Sequence, residues 1–155
     1  MKRLLVFFLM IVMTDGFIAN VSYGIDGNKT FRGNRNGPIA FSPDGKILAS
    51  GGSDNTIILW DVATGKEIKT LTSGTETVNS VAFSPDGKIL ASGGGNGTVI
   101  LWDTETGNKV KTFKAHSKSV YSVVFSSNGS MLASGSYDAT IILWEVANGN
   151  KIKTL

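Results

Sequence analysis

Apolar residues in this chain fall in runs of four to six, broken by clusters of Gly, Asp, Asn, Ser and Pro, and the runs themselves recur. Residues Phe41–Asp61 read FSPDGKILASGGSDNTIILWD. They return as Phe83–Asp103 (FSPDGKILASGGGNGTVILWD) and as Phe125–Glu145 (FSSNGSMLASGSYDATIILWE). The phenylalanines at 41, 83 and 125 and the tryptophans at 60, 102 and 144 are each spaced by 42 residues. A fixed period of this length marks a stacked-repeat architecture.

Each repeat predicts four short strands. In the second, these are Val78–Phe83, Ile89–Ser92, Thr98–Asp103 and Asn108–Phe113. Ser84-Pro85-Asp86-Gly87 supplies a tight turn, with Pro presetting φ and Gly accepting positive φ. Short β-rich runs with this punctuation predict an antiparallel meander. The third strand is apolar on both alternating sets: Ile57 and Leu59 on one face, Ile58 and Trp60 on the other. Such a strand needs cover on both sides, which predicts that each unit is sandwiched between neighbours. The fourth strand differs. Lys66 and Lys69, Lys109 and Lys111, and Lys151 and Lys153 predict a solvated rim that discourages edge pairing.

The N-terminus has another character. Lys2 and Arg3 precede ten unbroken apolar residues, Leu4 to Met13, and small residues flank a cut after Gly24. This pattern predicts a secretory signal peptide over residues 1–24. The apolar run is shorter than the ~20 residues that span a bilayer; the alternative is an uncleaved anchor extended through Phe17-Ile18-Ala19. Both place the repeats outside the cytoplasm: secreted, periplasmic or on the cell surface. Residues 25–37 form a polar lead-in with one strand near Lys29–Phe31, and residues 38–155 hold the repeats, at about 38–71, 78–113 and 120–155.

The formal charge of +3, or +2 without the first 24 residues, is too mild to indicate a nucleic-acid partner. No membrane contact is expected beyond the signal segment. The absence of cysteine excludes disulfides, thiolate metal sites and cysteine catalysis. No histidine pair or phosphate-binding loop is present either, so neither a catalytic residue, a cofactor nor a metal is expected. Asp44, Asp54, Asp86 and Asp138 all fall in turns, where Asp bonds local backbone. Asn28-Lys-Thr30, Asn96-Gly-Thr98 and Asn128-Gly-Ser130 match glycosylation acceptors, which matter only in a eukaryotic secretory route.

The 42-residue period, the LASG…D…TI.LWD core and the pairs Trp60-Asp61 and Trp102-Asp103 resemble WD40 repeats, with Trp144-Glu145 in the third copy. The resemblance covers residues 36–155. It implies an all-β fold of three four-stranded antiparallel β-propeller blades in an incomplete ring, with the first strand innermost and the fourth at the rim. It also implies a hydrogen-bonded tetrad of His116, Ser134, Asp138 and Trp144 in the third blade. The second blade has Gly74 and Asn96 where His and Asp would stand, keeping Ser92 and Trp102. The first has Arg32 by spacing, with Ser50, Asp54 and Trp60.

The function implied is a non-catalytic scaffold that binds a protein or peptide. Contact positions by resemblance are Ser53, Gly95 and Tyr137, ahead of the turn aspartate, and Thr77 and Ser119, at the start of the first strand. Tyr137 is an aromatic in a turn with no evident core role. Two alternatives stand beside this reading: the accessory part of a longer exported enzyme such as a hydrolase, and a purely structural ring. A closed propeller takes ~4–8 blades, and three leave two apolar faces open. The chain is therefore expected to be a fragment of a longer product or a subunit that completes its ring by self-association.

Overall fold

The computed structural model describes residues 22–23, 29–30, 37–74 and 76–155. The apolar run, the cut after Gly24, Arg32 and most of the lead-in lie outside the described residues. Two short strands, β1 (Ser22–Tyr23) and β2 (Lys29–Thr30), pair antiparallel. The rest forms three four-stranded sheets, each a meander of sequence-consecutive antiparallel strands. The first blade holds β3 (Ile39–Phe41), β4 (Ile47–Gly51), β5 (Thr56–Asp61) and β6 (Glu67–Thr72). The second holds β7 (Val78–Phe83), β8 (Ile89–Gly94), β9 (Thr98–Asp103) and β10 (Lys109–Lys114). The third holds β11 (Val120–Phe125), β12 (Met131–Ser136), β13 (Ile141–Glu145) and β14 (Lys151–Thr154). The fourth strand of the second blade runs one residue later than the sequence predicted. The second strand continues through Gly93 and Gly94, because residues without a Cβ fit a ladder pressed against the next blade.

The turns behave as their residues dictate. In the first and second blades an aspartate after proline accepts from the preceding serine: Ser42 Oγ to Asp44 at 2.7 Å and Ser84 Oγ to Asp86 at 2.6 Å. Both carboxylates lie below their ordinary value of 3.8, first because of that hydroxyl and then because of the backbone N–H two residues on. Asn128 makes the same turn in the third blade, receiving Ser126 Oγ at 2.7 Å and Ser130 N at 3.1 Å.

Most of the core lies in the two seams between blades, while Leu48 and Val62 of the first blade form a smaller cluster with Ile39, Phe41 and Trp60. Ala49, Ile57, Leu59 and Leu71 of the first blade pack on Val78, Val81, Leu90, Ile100 and Trp102 of the second. One period later, Ala91, Val99, Leu101 and Phe113 pack on Val120, Val123, Leu132, Ile142 and Trp144. Phe113 stacks on Trp144, with ring centroids 5.0 Å apart. Of the three described third strands, β9 alone is buried along both faces, from Thr98 to Trp102. The sequence predicted two-sided cover for Thr56–Trp60 as well. There Ile57 and Leu59 are buried, but Ile58 and Trp60 are only half-buried, since only the middle blade has a described blade on each side.

Each seam is registered by a valine seated over a glycine. A β-bulge between Val78 and Ser80 resets the side-chain alternation, so that Val78 and Val81 both face the first blade. The same bulge follows Val120. A methyl group on Gly51 would sit 2.6 Å from Cγ1 of Val78, and one on Gly93 would sit 2.7 Å from Cγ1 of Val120. These glycines are thus required by packing, and each notch lets a valine bury a side chain worth roughly 1.5–3 kcal/mol.

The rim lysines are less idle than their sequence positions suggested. Lys69 Nζ donates to Glu105 O at 2.7 Å and Lys109 Nζ to Ser73 O at 2.9 Å; Lys111 Nζ reaches Ala147 O at 3.4 Å. All three bonds cross from one blade to the next. Their long apolar stems lie along the sheet while the ammonium groups satisfy turn carbonyls of the neighbour.

Replacing Gly93 by Ala should cost about 1–3 kcal/mol through overpacking against Val120. A lower urea midpoint at unchanged slope would record this. An unchanged midpoint would mean that the seam yields freely.

Candidate functional site

Every blade ties its third strand to its second through the same bond. Trp60 Nε1, Trp102 Nε1 and Trp144 Nε1 donate to Ser50 Oγ, Ser92 Oγ and Ser134 Oγ, each at 2.9 Å. The strand register brings them together, since Ser50 pairs with Ile58, Ser92 with Ile100 and Ser134 with Ile142, two residues before each tryptophan. A buried indole N–H needs an acceptor, and the serine supplies one without leaving the strand.

In the third blade the bond extends into a network. His116 Nε2 lies 2.8 Å from Ser134 Oγ, and Nδ1 lies 3.1 Å from Asp138 Oδ2. The Asp138 carboxylate only accepts, so the ring carries its proton on Nδ1. The Ser134 hydroxyl, already accepting from Trp144, then donates to Nε2. Asp138 further accepts from Thr140 Oγ1 at 2.6 Å, Ser117 N at 3.0 Å and Thr140 N at 3.0 Å. The Thr140 hydroxyl first, then these backbone N–H groups and His116, hold its carboxyl far below the ordinary 3.8. His116, Ser134, Asp138 and Trp144 are thus joined in one chain from β13 to the β12–β13 turn.

A serine, a histidine and an aspartate in this order have the connectivity of a hydrolase triad. The surroundings do not suit that chemistry. Ser134 is fully buried, the His116 side chain has no exposure, and a lone pair of the serine oxygen is occupied by the indole N–H. A substrate carbonyl has no approach to that oxygen. Among the described residues no group of three potential ligands stands close enough to hold a metal ion. Asn96 replaces the aspartate in the second blade, yet bonds Thr98 N at 3.2 Å and Thr98 Oγ1 at 2.7 Å, as Asp54 bonds Thr56 in the first. The turn therefore survives without the histidine network.

The remaining predicted positions separate into two kinds. Ser53 is exposed in the β4–β5 turn. Thr77, Gly95 and Ser119 are half-buried, and the last two help to connect the second and third blades. Ser119 Oγ donates to Gly95 O at 2.8 Å across the second seam, and Thr77 O accepts from Gly95 N at 3.0 Å. Tyr137 is 70% exposed in the β12–β13 turn. It stands edge-on to Tyr121 with centroids 6.4 Å apart, and Lys118 Nζ lies 5.2 Å from its ring centroid. Its backbone N bonds Ser119 O at 3.0 Å, and the nearby Ala139 has a left-handed φ of 65°. Sequence reasoning missed Tyr121 and Lys118. Neither belongs to a repeat motif, and only the folding of β11 against the β12–β13 turn brings them beside Tyr137.

A family model described as the IFT122 first beta-propeller matches residues 36–155. The chain belongs to the WD40 repeat family. It is similar to the probable E3 ubiquitin ligase complex SCF subunit sconB of Arthroderma benhamiae, 48% identical over 52 residues, which are 34% of this chain and 8% of sconB. It is also similar to the small ribosomal subunit protein RACK1 of Medicago sativa, 53% identical over 36 residues, 23% of this chain and 11% of RACK1. Among solved structures, U3-55K superposes with a TM-score of 0.74 at 27% identity, covering 76% of this chain and 38% of that one. The RRP9 WD40 repeats match at 0.74 and 28%, covering 76% and 37%. This WD40 chain thus spans about a tenth of the two curated relatives and under two-fifths of the two solved chains. Propellers of the family are typically non-catalytic and bind protein partners.

Two outcomes follow from the tetrad. Ser134→Ala strands Trp144 Nε1 and leaves His116 Nε2 without its donor, and should cost about 1–3 kcal/mol. Ser92→Ala strands one group and should cost less; thermal unfolding of both compares them. The carboxyl of Asp138 is depressed in the fold, so its contribution to stability is present above pH 3.8 and is lost as pH falls through the folded value. The gap in stability between wild type and Asp138→Asn should therefore hold steady near neutrality and narrow progressively below pH 3.8. A gap independent of pH down to acid denaturation would contradict this.

Proposed function

We propose that this WD40 chain is a non-catalytic scaffold that binds a protein or peptide partner through the loop end of its third blade. The observation that carries the reading is the exposed aromatic corner of Tyr137 and Tyr121 with Lys118 against the Tyr137 ring. Exposed aromatics beside a cation, one on a strand and one in a hydrogen-bonded turn, are the side chains that anchor protein interfaces. The buried tetrad beneath supports the same reading, because it spends the chain's polar chemistry on holding this turn. Ser53 extends the exposed loop surface in the first blade. Thr77 and Ser119 contribute by shaping the turns, since their polar atoms already have partners within the fold.

The chain acts outside the cytoplasm in this proposal. Lys2-Arg3 followed by Leu4–Met13 supports export, by a signal peptide cut after Gly24 or by a retained anchor. Its partner is accordingly an extracytoplasmic protein or peptide, with no cofactor, metal or nucleic acid involved.

Photo-crosslinking from position 137 tests the proposal. One protein partner should be captured from the native compartment, and Tyr137→Ala should lower its affinity by at least about tenfold while leaving the melt unchanged. Equal binding by Tyr137→Ala would remove the loop corner from the interface.

A further inference from the structure

We propose that Asn128 is a modification site: it loses its side-chain amide to become aspartate, giving the third blade the turn that the first two already carry. The proposal rests on the geometry of the turns and not on a partner at Tyr137.

Among the described residues three exposed asparagines precede a glycine: Asn96, Asn128 and Asn148. In such a pair the glycine N can attack the asparagine Cγ, since no Cβ on the glycine hinders the approach. At Asn128 a bond forms between Gly129 N and Cγ, and the Cγ–Nδ2 bond breaks. Nδ2 departs as ammonia, taking the proton of Gly129 N. Water then opens the ring. Attack of water at Cγ gives aspartate, whereas attack at the main-chain carbonyl gives isoaspartate, whose backbone runs through the side chain.

The structure separates the three pairs. Gly97 is buried, and its carbonyl accepts Ala115 N at 3.2 Å and His116 N at 3.0 Å. Moving its N toward Cγ strains both bonds. Gly149 is pressed against the second blade, where an added methyl group would sit 2.6 Å from Cε1 of Phe113. Asn148 Nδ2 is tied to the Glu145 carboxylate, to which it donates. The pair at 128 lacks these restraints. Among the described residues Asn128 Nδ2 and the Gly129 carbonyl have no partner, and a methyl group on Gly129 would meet Pro85 Cδ at 3.3 Å. All three glycine N–H groups donate within their own turns, so that bond does not distinguish them.

The turn also activates the carbon that reacts. Asn128 Oδ1 accepts from Ser126 Oγ at 2.7 Å, Ser130 Oγ at 2.8 Å and Ser130 N at 3.1 Å. Donors aimed at this oxygen stabilise the charge that gathers on it when Cγ is attacked, first by Gly129 N and then by water. The second of these attacks is the one that yields aspartate. The product has a place ready. Asp44 and Asp86 hold the matching positions and accept the Lys46 and Lys88 N–H groups at 3.1 Å, as well as the serine hydroxyls. Asp86 and Asn128 line one groove between the second and third blades. Conversion sets a second carboxylate there, as Asp44 and Asp86 already are in the groove before it.

The test ages the full native chain in mildly alkaline buffer and maps its peptides by mass, with aspartate and isoaspartate separated by chromatography. Position 128 should convert at least about threefold faster than positions 96 and 148. Aspartate should take a larger share there than in the same chain aged in urea. Asn128→Asp should match the charge of the aged protein and keep the urea midpoint of the fresh one. Asn128→Gln, whose longer side chain closes no such ring, should suppress most of the charge shift. Earlier conversion at 96 or 148 would overturn the proposal. So would an amide at 128 that persists natively but not in urea, an aspartate share no larger than in urea, or a lower midpoint for Asn128→Asp.

Discussion

The fold depends on a sheet that is apolar on both sides and has no other way to hide. A four-stranded blade whose third strand reads Thr-Val-Ile-Leu-Trp cannot cover itself, so it is stable only between neighbours. The seam is where that requirement meets geometry. A bulge after the first residue of the inner strand turns two valines, three positions apart, toward the same neighbour. A glycine opposite removes the Cβ that would block them. The remaining contacts tighten this fit: Phe113 on Trp144, Ser119 on the Gly95 carbonyl, and lysine ammonium groups on turn carbonyls.

Within a blade the constraint is different in kind. Trp-to-Ser bonds lock the third strand to the second in all three repeats, and they make the indole usable as core. The third blade adds His116 and Asp138, which fix the turn that carries Tyr137. The connectivity is that of a catalytic triad, and burial decides what it does. Sealed from solvent, a serine bonded to histidine and tryptophan is a fastener. The same network leaves the surface of the turn free to vary, which is the division of labour expected of a binding scaffold.

Much of this was legible in the sequence because the repeat compares each position with two others. Strand number, turn chemistry and the two-faced third strand follow from residues 41–145 alone. The bulge did not show itself, since a reading with period two puts Val78 and Val81 on opposite faces. The recurrence of the pair as Val120 and Val123 was the available signal. The lysines misled in the other direction. Their composition fits a solvated rim, and nothing local indicates that an ammonium group will reach a carbonyl 36 residues away. The Tyr121–Lys118–Tyr137 corner was legible only in part, because it joins a strand to a distant turn and breaks the repeat pattern.

If the valine-over-glycine seam is what couples the blades, its two halves must be energetically linked. A double-mutant cycle on Gly93→Ala and Val120→Ala measures that linkage by urea unfolding. Shortening Val120 removes the atoms that a methyl group added at position 93 would strike, so the double variant should lose at least ~1 kcal/mol less than the sum of the single ones. Additivity within ~0.3–0.5 kcal/mol would contradict the linkage, for the blades would then be held together by something other than this fit.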